Sequence, residues 1–487
     1  MGRVVENIRS GAWLTPERAR LWAIASLLAS LAGLIYILAT AHGVNDHQNR
    51  PIGTDFSNVY AAGTYVLEGR PEAPFAAPTQ HAREREIFGA TTPFYGWHYP
   101  PFFLFLAALL ALLPYLGALA VWQGATLALY LWGIWAIVFS SPSPSDLGFT
   151  RGRHLLSAQV GYIRLVLRGG SRGSAGKFTQ PAQEKGVRGG GNDTPPYPAA
   201  APTTSPARRE VKQEWLTLIP ALLFAVAFPA VFVNLGHGHN GFLTAALMGF
   251  ALLLLDRRPV ISGILFGLLA YKPQFGVLVP LVLMATGRWK TFTAAALTVV
   301  MLVLAATLAF GIEVWPAFFN GSRFTREVVL EAGGTGWHKI QSVFAWARMW
   351  GAPIGVAYAI QIVVSLALAI AVIWLWRSNS SARLKAAGLI LAALISTPYS
   401  LDYDLMALAP AIAFWASDGR FRGFRNWEKT VLAALWILPL IARSFAEATS
   451  IPLTAPLLLG AFALLLHRAA NETETPLLWF FPRRALT

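Results

Sequence analysis

The run LWAIASLLASLAGLIYILATA, residues 21–41, decides the class of this fold. It holds 21 residues without a charge. At ~1.5 Å per residue, a helix of that length spans the ~30 Å hydrocarbon layer of a bilayer. Arg18 and Arg20 precede it and a polar stretch follows, as at a membrane anchor. Because no small-residue cleavage site is present, we expect the run to be retained and not removed as a signal peptide.

The rest of the chain repeats this pattern. Of its 487 residues, 55% are hydrophobic and 13% are charged, whereas a soluble domain has about 25% charged residues. The pattern predicts an all-α polytopic membrane protein with about 12 transmembrane helices. The predicted crossings are 21–41, 118–140, 215–235, 241–256, 260–272, 274–287, 291–311, 354–376, 386–399, 405–417, 430–446 and 451–467. We expect 260–272 and 274–287 to be half-length or broken helices around Lys272 and Pro273, since backbone breaks at membrane depth occur inside protein or beside a cavity.

The distribution of basic residues orients these crossings. With both termini inside, 29 of the 39 Lys and Arg residues fall on the inner side, while the 24 acidic residues divide equally. This is the positive-inside bias of a membrane protein. The net charge of +15 therefore indicates membrane lipids, and not a nucleic acid, as the partner. Cysteine is absent, which excludes disulfides and thiolate metal sites.

The loops suggest a functional division of the chain. Residues 42–117 form a first extracytoplasmic loop, which we expect to be catalytic. Within it, the apolar run 101–114 is interpreted as a juxtamembrane helix on the outer surface, because a crossing there would place the basic segment 141–214 outside. That segment is low in complexity and predicted to be disordered and cytoplasmic, with 155–168 as a basic amphipathic helix. Residues 312–353 form a second large extracytoplasmic loop.

One carboxylate stands out in the first loop. Asp55 follows Thr54 and precedes an amphipathic stretch, so it could simply cap a helix, or it could be a reactive acid. Asp402 and Asp404 have the spacing of a paired acidic motif. We interpret them as the start of a helix at the outer face, with a metal site as the alternative.

The order of several short motifs resembles the GT-C superfamily of membrane glycosyltransferases, and more closely glycosyltransferase family 87. The matching residues, in chain order, are Asp55-Phe56 with Tyr60, Gly69, Tyr99-Pro100-Pro101, Gly236-His237-Gly238-His239-Asn240-Gly241, Gly263 and Gly267, Lys272-Pro273-Gln274, Gln341-Ser342 with Arg348, and Thr397-Pro398-Tyr399. The likeness runs from about residue 15 to 415. His237 replaces the family's usual Gln, and the 141–214 insertion is long.

The resemblance implies a GT-C fold and an inverting transfer of a sugar, mannose by family default, from a polyprenyl-phosphate donor to an acceptor hydroxyl on a lipid-linked or surface glycan. A phosphate leaves as a stable anion without a general acid, so one carboxylate that accepts the acceptor proton is enough. A glycosidase, in contrast, needs two carboxylates. Asp55 is the expected general base. A cationic cluster should stabilise the charge that develops on the phosphate.

The candidate residues divide into two groups. The donor phosphate is expected to meet Lys272, Arg348, His338 and Lys339, whereas Arg323 and Arg326 fit a solvated loop face better. The acceptor or sugar pocket is expected to include Tyr60, His98, Tyr99, His237, His239, Asn240 and Gln341. Lys272 could instead snorkel to the outer interface, but an intramembrane lysine is a functional hypothesis by default. We expect no metal and no cofactor, with a divalent cation left open.

Two other functional classes remain open from the sequence. Lys272 between broken helices would also suit a secondary transporter, although no internal repeat is visible. A lipid-linked polysaccharide polymerase or ligase is the third reading. The transporter would have its site at the membrane midplane. The family resemblance implies instead a multi-pass protein of a bacterial plasma membrane, with its site on the extracytoplasmic side.

Overall fold

The structure, a computed structural model, describes residues 2–140 and 220–472. The predicted disordered segment 141–214, with its amphipathic helix at 155–168, lies outside the described residues. The described residues form helices, with isolated β-bridges but no strand. The helices are α1 (Gly2–Ser10), α2 (Pro16–Ala39), α3 (Phe56–Leu67), α4 (Ala77–Phe88), α5 (Leu104–Ala111), α6 (Tyr115–Phe139), α7 (Pro220–Val226), α8 (Pro229–His237), α9 (Gly241–Leu254), α10 (Pro259–Leu268), α11 (Pro273–Gly276), α12 (Leu278–Ala285), α13 (Trp289–Phe310), α14 (Val314–Phe324), α15 (Val343–Met349), α16 (Ile354–Arg377), α17 (Ala382–Ile395), α18 (Leu408–Arg422), α19 (Glu428–Thr449) and α20 (Thr454–Glu472).

The predicted all-helical membrane class is confirmed, but the count of about twelve crossings is not. Among the described residues, five helices are long and apolar enough to cross a membrane, namely α2, α6, α13, α16 and α19. The pair α7 and α8, bent by 44°, makes a sixth if it is one span. The other predicted crossings coincide with shorter helices. A helix of 14 residues such as α9 rises only ~21 Å, short of the ~30 Å hydrocarbon layer.

The bundle has a buried centre and a lipid-facing periphery. In α17, twelve of fourteen residues are buried, so this helix lies at the centre, whereas α2 and α13 have few buried residues. Helices α10 and α13 pack closely. A Cβ at Gly267 would lie 2.5 Å from the Cβ of Thr298, so only glycine permits this approach, as is common between membrane helices.

The first loop folds into short helices that pack on one another. Ser57, Asn58, Ala61 and Ala62 of α3 are buried. A Cβ at Gly63 would overlap the carbonyl of Ala107 in α5, so the two helices touch at backbone distance. The eight residues of α5 are too few to cross a bilayer. Its interpretation as a juxtamembrane helix stays a prediction, because no observation here places the bilayer surface.

The helical run is interrupted at Lys272, as the sequence predicts. α10 continues as one 3₁₀ turn, Leu269–Tyr271, and α11 begins at Pro273. Lys272 itself has φ −127° and ψ 75°, outside the helical region. Proline suits the first position of the new helix, since its missing N–H would be unpaired there anyway.

A buried ionic cluster joins the ends of three helices, α18, α19 and α20, at the side of the bundle that carries α1. Arg468 is 1% exposed and pairs with Asp418, with Glu428 at 2.7 Å and with Glu472 at 3.0 Å. Because the last predicted crossing ends at residue 467, the sequence prediction places Arg468 in an inner tail. In the structure, Arg468 is instead a buried residue of α20. An arginine this deeply buried is tolerated because its charge is paired and hydrogen-bonded.

Candidate active site

Asp55 lies at the N-cap position of α3, but its side chain makes no capping hydrogen bond. Its backbone N–H donates to the carbonyl of His237, with an N···O distance of 2.9 Å. Its carboxylate Oδ2 lies 3.8 Å from His237 Nδ1, and Thr54 Oγ1 lies 2.8 Å from the same nitrogen. The side chain is 25% exposed. The capping interpretation therefore describes the position of Asp55 and leaves its carboxylate free for other chemistry.

The turn that carries His237 is fixed against the start of α3. Gly238 adopts a left-handed conformation, φ +64°, and a Cβ there would lie 2.6 Å from the Cβ of Phe56. Trp122 Nε1 donates to the Gly238 carbonyl at 3.1 Å, and Asn234 Oδ1 accepts from the Gly241 N–H at 3.0 Å. These contacts fix the polar turn, and with it the end of α8, against the start of α3 in the first loop.

A polar cavity of about 170 Å³ lies where the break in the helical run meets the turn before α18. Its lining residues are His98, Tyr99, Pro100, His239, Tyr271, Lys272, Pro273, Gln274, Phe318, Ser322, Thr325, Tyr399, Tyr403 and Asp404. Lys272 does not snorkel: it is 4% exposed, and its ammonium lies 2.5 Å from Asp404 Oδ1. Asp404 Oδ2 also accepts from the Leu401 N–H at 2.9 Å. The charge of Lys272 is therefore already matched.

Tyr403 connects this cavity to the turn beside Asp55. Its ring stacks on His239, with centroids 3.4 Å apart, and lies 6.5 Å from the ring of His237. The ammonium of Lys272 lies 5.2 Å from the Tyr403 centroid, and the Tyr99 hydroxyl lies 3.4 Å from His239 Nε2. Three predicted candidates, Tyr99, His239 and Lys272, thus line this cavity. Asp55 and His237 lie outside its lining and are connected to it through Tyr403.

A second group of charges lies on the Asp55 side. Arg443 Nη1 pairs with Asp402 Oδ2 at 3.1 Å, and His338 Nε2 lies 3.8 Å from Glu447 Oε1. Lys339 has no carboxylate oxygen within 4.0 Å of its ammonium in the described part of the chain. Arg348 likewise has no such partner among the described residues, but its guanidinium is held by two backbone carbonyls.

The loop carrying Lys339 is positioned by its neighbour Gln341. The backbone N–H of Gln341 donates to Ser400 at 2.6 Å, next to a β-bridge between Ile340 and Leu401. The Gln341 side chain donates to the His338 carbonyl at 3.0 Å and accepts from Thr454. Gln341 thus fixes the loop from both sides.

Three other predicted site residues lie in different surroundings. Arg348 donates to the carbonyls of Ala352 and Glu331 and lies over the ring of Trp337. The Tyr60 hydroxyl donates to the Leu113 carbonyl at 3.0 Å. The Asn240 amide is buried without a partner in the described residues. Their predicted roles in phosphate or sugar binding remain predictions.

The environment shifts the pKa of the loop groups. Desolvation raises the pKa of Asp55; the charges of His237, Lys339 and Lys272 oppose this, while Asp402 adds to it. Desolvation also lowers the pKa of Lys339. Burial lowers the pKa of His98 to about 4, so this imidazole is neutral at physiological pH, and its Nδ1 lies 2.7 Å from Thr325 Oγ1. A carboxylate with a raised pKa is better matched to accept a proton near neutrality.

The residue that the sequence reasoning missed is Arg443. The signal that could have found it is a charge inside an otherwise apolar helical segment, as at Lys272. Its pairing with Asp402 brings α19 to the site. Among the described residues, no group of three or more His, Cys, Asp or Glu side chains could hold a metal ion. Metal dependence stays an open prediction.

Comparisons with known proteins agree with the resemblance seen in the sequence. No curated protein and no solved structure matches this chain. The sequence model of glycosyltransferase family 87 matches residues 97–159 and 199–398. These two stretches cover more than half of the chain and include His98, Tyr99, the turn with His237 and His239, and Lys272. This protein therefore belongs to glycosyltransferase family 87.

Proposed function

We propose that this protein is an inverting glycosyltransferase that moves a sugar, mannose by family default, from a polyprenyl-phosphate donor to the hydroxyl of a lipid-linked or surface glycan. Asp55 is the general base. The observation that carries the proposal is the Asp55 carboxylate: it makes no capping bond, is partly exposed, and lies 3.8 Å from His237 Nδ1 in the polar turn. The site faces the extracytoplasmic side of a bacterial plasma membrane.

The reaction needs one proton acceptor and one anion site. The acceptor oxygen attacks the anomeric carbon and gives its proton to an Asp55 oxygen. The bond between that carbon and the donor phosphate oxygen breaks, and its electron pair leaves with the polyprenyl phosphate. Attack opposite to the leaving group inverts the anomeric configuration. Asp55 lies beside His237, whose ring nitrogen at 3.8 Å helps to orient the carboxylate.

The phosphate site is better assigned to Lys339 than to Lys272. A cation stabilises a developing anion most when no other anion already neutralises it. Lys272 is buried against Asp404, whereas Lys339 is partly buried and has no carboxylate oxygen within 4.0 Å in the described residues. His338, the adjacent residue, completes the pair of candidate donors. In this proposal Lys272 orders the cavity wall, and Lys339 binds the donor phosphate.

The sugar is assigned to the cavity beside Tyr403. Its lining combines aromatic faces, which pack well against the C–H faces of a sugar ring, with polar groups on His98, His239 and Tyr99. The buried Asn240 amide nearby could bond a sugar hydroxyl, because no described residue satisfies it. Buried polar atoms normally have partners, so an unpaired one beside a cavity is informative.

The experiment is transfer from a panel of radiolabelled polyprenyl-phosphate sugars by purified protein in detergent. Transfer of one sugar to added glycolipid acceptor, abolished by Asp55→Asn, is the expected result. Transfer only from polyprenyl-diphosphate oligosaccharides would replace the proposal with a polymerase or ligase. Sugar uptake by sealed vesicles without any transfer product would replace it with a transporter.

A further inference from the structure

A second and larger cavity lies away from the candidate active site. Its volume is about 630 Å³, and it lies among α2, α6, α7, α8, α18 and α19. Of the residues described as lining it, none lines the smaller cavity beside Lys272. Any molecule bound in this larger cavity therefore occupies a site separate from the cavity beside Lys272.

One wall of this cleft is a stripe of mostly apolar residues on α18. On α18 the lining residues are Ala409, Ile412, Ala413, Ala416, Ser417 and Arg420. They recur at helical spacing and form one stripe. The small side chains make the cleft, and the stripe rises ~16 Å between its two ends at 1.5 Å per residue. Half of a ~30 Å hydrocarbon layer is ~15 Å, so the apolar length matches one leaflet.

The polar end of the stripe lies beside the N-terminal helix. Arg420 is exposed there. Thr430, which also lines the cleft, donates to the carbonyl of Ile8 in α1 at 2.6 Å and accepts from Trp13 Nε1 at 2.9 Å. Arg18 donates to the Trp13 carbonyl at 2.9 Å. This end thus combines arginines with a tryptophan, as at a lipid headgroup interface.

We propose that this cleft binds an anionic diacyl phospholipid from the leaflet at which α1 lies. One acyl chain follows the alanine stripe of α18, and the phosphate meets Arg420. Polyprenyl phosphate also carries a phosphate, but the proposed reaction places the donor phosphate near Asp55, whereas Arg420 lies ~18 Å along α18 from its first residue, Leu408. The choice of a phospholipid over polyprenyl phosphate therefore rests on the proposed function.

The experiment measures lipid retention by the full-length protein. The purified chain is delipidated in neutral detergent and titrated with phosphatidylglycerol, phosphatidylcholine or polyprenyl phosphate, and bound lipid is counted by native mass spectrometry. Arg420→Gln removes the headgroup contact, and Ala416→Phe fills the cleft. The matched controls are Lys290→Gln, an exposed cation at the start of α13, and Ala305→Phe, an exposed alanine on α13.

The expected result is one retained phosphatidylglycerol per wild-type chain, in preference to phosphatidylcholine. Arg420→Gln should weaken this binding about fivefold, the usual effect of one basic residue at an anionic lipid surface. Ala416→Phe should abolish it, and both controls should match wild type. The proposal is overturned if polyprenyl phosphate competes for the Ala416-sensitive site. It is also overturned if no lipid is retained, which would mean that part of the chain covers the cleft.

Discussion

Replacing Asp55 by Asn should remove transfer without harming the fold. General base catalysis contributes ~10²–10⁴-fold, so loss of the base should raise the activation free energy by ~3–5 kcal/mol at 1.36 kcal/mol per tenfold. The fold should not suffer, because the carboxylate makes no capping hydrogen bond. The amide keeps the size of the side chain.

The raised pKa of Asp55 sets the sign of two further effects. Because the folded state disfavours the ionised form, a neutral amide should leave the melting temperature equal to wild type or higher at pH 7. In wild type, kcat/KM should fall as the pH falls through the folded-state pKa, so the acidic limb should lie above 3.8, the ordinary value for Asp.

The assay is initial-rate transfer of radiolabelled sugar, with the melting temperature measured on the same preparation. Asp46→Asn is the matched control in the same loop. Its carboxylate accepts from the N–H groups of Gln48 and Arg50 and pairs with the Arg50 guanidinium at 3.2 Å. This control should lose stability and keep transfer. An Asp55→Asn variant that retains more than about a tenth of wild-type transfer, or that melts well below Asp46→Asn, would refute the reasoning.

Four further predictions concern charge and backbone. Lys339→Gln should raise the donor KM at least tenfold with little change in melting temperature, since a hydrogen bond to a charged group is worth about 1.5–3 kcal/mol; an unchanged KM would exclude phosphate binding by Lys339. Lys272→Met should lower the free energy of unfolding by about 3–5 kcal/mol, because it leaves Asp404 unpaired. Adding Asp404→Leu should restore most of that loss in denaturation experiments. A double variant as unstable as Lys272→Met would show that Lys272 does not stabilise the fold through Asp404. Burial raises the pKa of Glu84 to about 8, so wild-type stability should fall as pH rises from 4.5 to about 8, and Glu84→Gln should remove this slope from melting curves. Gly238→Ala should lower both the melting temperature and transfer, because the turn has φ +64° and the new methyl would overlap the first side chain of α3; wild-type behaviour would show that this contact is dispensable.

The sequence predicted several local features that the structure shows, because their signals lie in neighbouring residues. A conformational break at Lys272-Pro273 follows from proline chemistry. The position of Asp55 before a helix follows from the polar-to-amphipathic change after residue 53. The glycine-rich turn at 236–241 can also be recognised in the sequence, because glycine adopts a left-handed backbone conformation more readily than other residues.

Element lengths were predicted less well. Hydropathy finds apolar segments, but it does not report where a helix bends or stops. The predicted 215–235 crossing contains the 44° bend between α7 and α8. Arg468 was assigned to a tail because a charge near the end of the chain usually lies in solvent, whereas here three acidic groups surround it.

The sequence by itself determined that this is a helical membrane protein of glycosyltransferase family 87 with an acid after its first span. Apolar runs, helix preferences and short motifs can be recognised because each depends on residues close together in the chain. Only the tertiary structure decided which charges meet. Lys272 pairs with Asp404, 132 positions away in the chain, Arg443 pairs with Asp402, and Lys339 has no carboxylate oxygen within 4.0 Å among the described residues. Such pairings depend on which helix ends pack together, and the free energy of a charge in a low-dielectric site depends on the neighbours that packing supplies.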